Sequence, residues 1–182
     1  MGEIAYKFTR QGARSPFTGF RWQVGEWVEV EGEIGLCANG IHACRVEALP
    51  RWVDEELWRV EVEEVEAELE GVVLARRGRL VDRIAAWDAA TSRELARSCA
   101  RRAREIAQAH PDPLIRKMAD DTSMIAEGPD PSATALSMYC TAHAADVAEP
   151  GGYDLERRRQ TEWLCARLGL QVRGRDGRGG RR

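Results

Sequence analysis

The densest store of chemically active side chains lies in nine residues, Leu36-Cys37-Ala38-Asn39-Gly40-Ile41-His42-Ala43-Cys44. Two of the five cysteines and one of the three histidines fall there, around an Asn-Gly turn. Metal binding is the first chemistry to weigh. Cys37, His42 and Cys44 give C-x4-H-x-C, whereas zinc takes four ligands in a tetrahedron and usually begins from a C-x2-C pair. On a strand, His42 and Cys44 share a face with Ala43 opposite, which supplies two ligands and no site. Cys140 and His143 share a helical face, but on an alanine-rich stripe where a small buried cysteine is ordinary. No metal is expected.

Nucleophilic catalysis is the second possibility. It needs a Cys–His pair in hydrogen-bond contact and an electropositive setting for the thiolate. His42 and Cys44 stand roughly 7 Å apart along a strand, and no third residue is at hand to orient the pair. Buried, inert cysteines are the better reading.

The third possibility is acid–base or electrostatic work in a pocket. An unperturbed histidine titrates near neutrality, which makes His42 the candidate catalytic group. Lys7, Arg10 and Arg21 lie on segments able to flank it and are the candidate anion contacts. Trp22 is the candidate stacking wall, with Trp27 and Trp58 nearby. A cationic and aromatic cleft suits a nucleotide or another flat anion, through charge-assisted bonds and stacking. The glutamates of residues 60–70 alternate as on a solvated strand face and are not read as a cation site.

The elements that must position these groups divide the chain in two. Residues 1–86 read as β. Segment 4–8 alternates as a strand; 11–19 is a loop rich in Gly, Pro and small polar residues. Segments 20–24 and 27–30 suggest a hairpin, and 40–44 an inner strand. Residues 46–53 suit one or two helical turns, shortened by Pro50. Segment 57–69 is the clearest strand. Its apolar phase slips at Glu63-Glu64, so a bulge there is expected to bring Trp58, Val60, Val62, Val65, Ala67 and Leu69 to one side. Strands at 72–75 and 80–84 follow, with Arg76-Arg77-Gly78-Arg79 as the turn between them.

From Asp88, an N-cap candidate, the period becomes helical. Leu95, Cys99, Ala103, Ile106 and His110 recur at three and four residues until Pro111 and Pro113. Further helices are expected over 114–126, from Ser132 with a stripe of Ala133, Leu136, Cys140, His143 and Val147, and over 154–168 with Gly169 as C-terminal cap. The domains so read are 1–86, β-rich; 87–170, a helical bundle; and 171–182, a disordered Arg/Gly tail.

Charge and length narrow the function classes. A formal net charge of −3 over 182 residues gives no general drive towards nucleic acid or membrane. Nucleic acid is therefore not an expected partner, apart from weak contacts of the arginine-rich tail. No apolar run reaches the ~20 residues of a bilayer span, and Met1-Gly2-Glu3-Ile4 has no secretion-signal pattern. The cytoplasm is the expected location. Five scattered cysteines do not suggest a disulfide framework.

Cys37-x2-Gly40-Ile41-His42-x-Cys44, after Val24-Gly25 and before Trp58-Arg59-Val60-Glu61-Val62, resembles the C-x2-G-[FIL]-H-x-C signature of an uncharacterised bacterial and phage family. The likeness covers roughly residues 4–85 and brings no activity with it. The helical half is similar in composition to alanine-rich tails fused to such domains in actinobacteria. A looser resemblance is to the ADP-ribosyltransferase-like fold, including RNA 2′-phosphotransferases. Tyr6-Lys7-Phe8-Thr9-Arg10 is similar to that family's Y-H-G-T-R strand, with Lys7 where its histidine would stand. Gly40-Ile41-His42 is similar to its G-I-Y strand.

The fold expected is α+β, a bent antiparallel β domain followed by an antiparallel helical bundle. The function expected is binding of a nucleotide or small anion near His42. If the protein is an enzyme, group transfer on a nucleotide-like substrate would follow, with His42 orienting or protonating it. One alternative is a non-enzymatic interaction, immunity or regulatory protein whose partner meets the helical half. Another is a biosynthetic enzyme that shapes an apolar small molecule in a tryptophan-lined pocket. None of these readings implies a cofactor.

Overall fold

The computed structural model describes residues 2–36, 38–128 and 130–171. The tail expected at 171–182 falls outside them from residue 172 onward, as does Cys37. The chain is α+β, an antiparallel sheet followed by helices. In order it forms β1 (Glu3–Thr9), β2 (Val28–Glu29), β3 (Ile41–Cys44), a 3-10 helix (Val46–Arg51), β4 (Glu56–Leu69) and β5 (Val72–Arg83). Four helices follow: α1 (Ala89–Ala109), α2 (Pro113–Ile125), α3 (Pro131–Ala148) and α4 (Gly152–Leu168).

The sheet closes on itself. β4 and β5 form one long hairpin whose last pair is Leu69↔Val72. The two residues between, Glu70 and Gly71, have φ of 48° and 78°, the double positive φ that a two-residue type I′ turn requires. β1 lies along β4 from Glu3↔Val62 to Thr9↔Glu56, and β3 lies along β5 from Ile41↔Ala75 to Cys44↔Val72. β1 and β3 then meet at Tyr6↔Cys44, completing a ring of four antiparallel strands. Ala5, Ile41, Ala43, Trp58, Val60, Val62, Val73, Ala75 and Leu80 fill one side of it together with Ala13 and Trp22. Alternation turns Tyr6, Phe8, Cys44 and Leu57 to the other side, where they pack with Trp87, Leu95, Cys99, Met138, Leu164 and Leu168 of the helical half. That core runs across the 86/87 boundary.

Two β expectations need correction. Residues 76–79 are not a turn, because β5 runs through them without a break. Arg76, Arg77 and Arg79 pair with Glu66, Glu63 and Glu61 across the hairpin. Gly78 lets β3 and β4 approach; a Cβ there would stand 3.1 Å from Ile41 Cγ2 and 3.3 Å from the Glu61 carbonyl. Residues 20–24 and 27–30 do not form a hairpin either. Trp22 N–H donates to the Ala13 carbonyl and Ser15 N–H to the Phe20 carbonyl, while β2 pairs with Gly78 and Arg77 of β5. Non-local partners take the hydrogen bonds that a local hairpin would have used.

The bulge in β4 is present. Glu64 has φ 52° and the register slips between Val65 and Ala67. Only Trp58, Val60 and Val62 are buried, however; Val65, Ala67 and Leu69 are exposed on the projecting end of the hairpin.

In the helical half, the Asp88 side chain accepts from Thr91 N–H, and Leu95, Cys99, Ala103 and Ile106 are buried as the periodicity requires. Gly169 closes α4 in the left-handed region. The stripe expected on α3 is the wrong face. Leu136 and Val147 are exposed, while Thr134, Ser137, Met138, Thr141, Ala142, Ala144 and Ala145 are buried. α3 lies against α1, α2 and α4 at once, and small side chains allow that close approach. Buried Arg157 of α4 ties the halves together, donating to the Pro50 carbonyl, Gln160 Oε1 and Tyr153 Oη. Among the described residues no helix is long and apolar enough to cross a membrane.

Candidate functional site

Lys7 is the one cationic side chain of β1, and it shares the filled side of the ring with Ala5 and Thr9. β1 and β3 pair only at Tyr6↔Cys44, so the ladder is open beyond that point. The Lys7 ammonium fills the opening. It donates to the His42 carbonyl at 2.7 Å and lies 5.6 Å from the centre of the Trp22 ring. Burial pushes its pKa down to about 8. The expected trio of Lys7, Trp22 and His42 is thus joined through the His42 backbone.

The imidazole itself is on the other side of β3 from Ile41 and Ala43. Its Nδ1 stands 3.1 Å from the Gly40 carbonyl. Burial lowers its pKa, as does the Lys7 charge, against the raising effect of the Gly40 bond. The lowered pKa favours the neutral imidazole. Cys44 offers no nucleophile: burial pushes its thiol up to about 12, and Sγ donates to the Tyr6 carbonyl at 3.3 Å. Among the described residues no three His, Cys, Asp or Glu side chains gather to hold a metal ion.

Arg10 and Arg21 are brought together by Arg14, a residue that the sequence reading passed over. The segments around 10, 14 and 21 form a small three-strand meander. Arg10 and Arg14 exchange both backbone hydrogen bonds, at 2.8 and 3.2 Å, and Arg14 is bridged in turn to Arg21. Antiparallel partners point to one face, with Cα atoms about 5.5 Å apart in the first kind of pair and about 4.5 Å in the second. The neighbours Thr9, Ala13 and Trp22 are buried on the inner face. All three arginines are exposed on the outer face.

None of the three is paired with a carboxylate among the described residues, although Asp54 senses the charge of Arg10. Arg45, Arg51, Arg59, Arg76, Arg77, Arg79 and Arg83 of the same half all hold one. Like charges directly opposite one another oppose strand pairing. Something else must therefore hold this meander, and it is Glu56.

Glu56 is buried under the turn at Gly12 and Ala13, whose φ values of 75° and 55° aim successive N–H groups at one point. Its Oε2 accepts from Ala13 N–H at 3.0 Å, Trp58 Nε1 at 3.3 Å and Thr9 Oγ1 at 3.4 Å. Its Oε1 accepts from Gly12 N–H at 3.3 Å and lies 3.5 Å from Arg83. Burial alone would raise its pKa; the Ala13 and Gly12 bonds, the Arg83 charge and Trp58 outweigh it and hold the carboxyl below its usual range. The hairpin arm beyond Arg14 is fixed by Trp22 Nε1 donating to Ser15 Oγ at 2.9 Å. At its tip, Phe17 is 86% exposed and meets Trp52 edge to face at 6.4 Å between centroids.

No spacing rule marks Glu56 among its acidic neighbours. Arg14 carried a faint signal, as the third arginine in a short loop-forming stretch, but only the register makes it a neighbour of the other two.

A separate cavity of about 280 Å³ lies among α1, α3 and α4, beside Arg102, His110, Glu156 and Arg159. Its walls include no residue of the β half. Glu156 there is buried, which raises its pKa against the Arg102 pair at 3.4 Å.

No curated protein and no solved structure matches this chain. The β half is the recognisable part: residues 3–90, which include the arginine meander, Glu56 and His42, match the family model for a domain of unknown function (DUF7666).

Proposed function

We propose that the β half binds an anionic, nucleotide-like ligand on the outer face of the 10–24 meander. Arg10, Arg14 and Arg21 are the anion contacts. The observation that carries this reading is their arrangement: three exposed guanidinium groups on bridged positions, none of them in an ion pair with a carboxylate among the described residues. Arginine forks match phosphate oxygens in pairs of charge-assisted bonds. A bound anion would relieve the repulsion that the ladder carries when empty. Glu56, Trp22 and Lys7 hold the platform from beneath, so Lys7 and Trp22 support the site from the inner side.

A group-transfer role for His42 belongs to the same proposal. A neutral imidazole is suited to accept a proton, yet it faces away from the Trp22 side of β3. The two segments that resemble ADP-ribosyltransferase-like motifs, 6–10 and 40–42, fall largely on the adjacent strands β1 and β3.

Calorimetric titration of the full chain with pyrophosphate and with ADP tests the reading. Binding is expected for wild type and is expected to be lost on Arg14→Glu. Equal heats for wild type and Arg14→Glu, or no binding of either anion by wild type, would end the proposal.

A second reading is favoured by a different observation. Leu114, Met124, Leu136, Tyr139 and Val147 of α2 and α3 are exposed, as on a helical face that meets a protein partner.

A further inference from the structure

We infer that the anion taken by the arginine meander is a single-stranded nucleic acid, with Phe17 and Trp52 as its base-stacking surface. This rests on the anion-binding reading above and names its ligand. The inference runs against the expectation from net charge, because a local field, not the sum over the chain, steers a polyanion.

The first argument is spacing. Arg10, Arg14 and Arg21 follow one another at about 5.5 and 4.5 Å between Cα atoms, a span of about 10 Å. A stacked strand advances about 3.4 Å per phosphate, so the ladder spans about three phosphate-to-phosphate steps and each arginine can meet a different phosphate. A mononucleotide presents its charges at one end and would leave part of this row unused. The second argument is the aromatic pair. Phe17 stands at the tip of the hairpin whose arms carry Arg14 and Arg21, and its ring is almost wholly in solvent. Trp52 meets it edge to face from the end of the 3-10 helix, with 39% of its own surface exposed. An exposed phenylalanine gains nothing from water, and a base face covers it whatever the base sequence. Cationic rows beside aromatic platforms are the general means of holding single strands, whose unpaired bases can reach a ring face.

The third argument is the fixation of both parts. Glu56 ties the meander to β4, and the Trp22–Ser15 bond braces its two arms against each other, so the row of charge is held in place before any ligand arrives. Two acids, Asp54 and Glu55, lie at the Arg10 end: Asp54 senses the Arg10 charge and Glu55 accepts from Gln11 N–H. The strand is therefore expected to run from the Phe17 tip along Arg21 and Arg14, with Arg10 as its weakest contact.

Fluorescence anisotropy of a labelled deoxythymidine strand of about twelve nucleotides, on the full chain across a salt series, tests this. With three phosphates neutralised, log K is expected to fall against log salt with a slope of about −2, and Arg14→Ala should reduce it by about 0.7. Phe17→Ala should weaken binding about tenfold and leave the slope unchanged. Both substitutions are at exposed positions, and unchanged melting curves would exclude misfolding as their effect. If ADP or pyrophosphate binds as tightly as the strand, the anion site stands and the polymer inference is overturned. Strand binding that neither substitution alters would overturn it too, placing the contact elsewhere on the chain. Capture by phosphatidylserine vesicles that the strand does not compete away would assign the Phe17 tip to a membrane surface and overturn it as well. If neither anion nor strand binds, this inference and the reading beneath it both fall.

Discussion

Glu56 is the residue on which the candidate site depends, and removing it gives a prediction of definite size. In Glu56→Ala, Ala13 N–H loses its acceptor in a buried position and Gly12 N–H loses one at the edge of solvent. Trp58 Nε1 keeps the Thr9 hydroxyl, 3.2 Å away, as an alternative. A buried donor left unsatisfied costs about 1–3 kcal/mol. Adding the lost charge-assisted bonds and the Arg83 pair gives a destabilisation of roughly 3 kcal/mol. For a chain of this size each kcal/mol moves Tm by about 2–4 °C, so a fall of roughly 6–12 °C is expected. Glu56→Gln keeps one acceptor oxygen but faces an amide N–H towards backbone donors; a fall of about half that size is expected.

The pH dependence has a definite sign. The folded-state pKa of Glu56 lies below its ordinary value. The stability it contributes is therefore fully present above the ordinary carboxylate range and is lost as pH falls through the folded value. Circular-dichroism melts of wild type and both variants, from neutral pH down through that range, read this directly. Wild type should lose Tm on acidification more steeply than Glu56→Ala. A Glu56→Ala protein that melts within about 2 °C of wild type at neutral pH would refute the account, since it would require the turn to hold without its acceptor. So would identical pH slopes.

Two further outcomes follow from the same geometry. Lys7 has a folded pKa of about 8 against 10.5 ordinarily, so the unfolded chain binds the extra proton between those values and stability should rise with pH across that window; Lys7→Met should abolish the rise in melts taken over it. Gly152→Ala would place a Cβ 2.1 Å from the Ala145 carbonyl oxygen, where backbone faces backbone; a loss of about 3 kcal/mol or more in urea denaturation is expected, and a change under about 1 kcal/mol would mean that α3 and α4 are not packed so closely.

Much of the architecture was legible in the chain. The change from a two-residue to a helical period near Asp88 divides strands from helices because each period buries one face of one element. The Asp88 cap, the Gly169 stop, the β4 strand and its slip near Glu64 are local effects, governed by backbone sterics and neighbouring side chains. So is the inertness of Cys44, which follows from a small thiol on a buried strand face. Residues 76–79 misled because an arginine-rich run with a glycine has no apolar alternation; its strand character comes from carboxylates on β4, which sequence order does not reveal. α3 misled because hydropathy ranks leucine and valine above alanine and serine, whereas a helix packed on three others buries whatever is small.

The candidate site shows the same division more sharply. Residue types alone pointed to the cations and the tryptophan within the first 22 residues, since arginine and tryptophan carry their chemistry wherever they stand. Their neighbours were settled by folding. Which arginines lie side by side depends on the register at Arg10, Arg14 and Arg21, and a slip by one residue would have turned them inward. Which carboxylate lies beneath them depends on a contact made across more than forty residues, from Glu56 to Gly12 and Ala13. Sequence set the supply of charge and the positions able to form strands; chain closure decided which charges meet, because hydrogen-bond partners in a closed sheet are chosen by register and not by proximity along the chain.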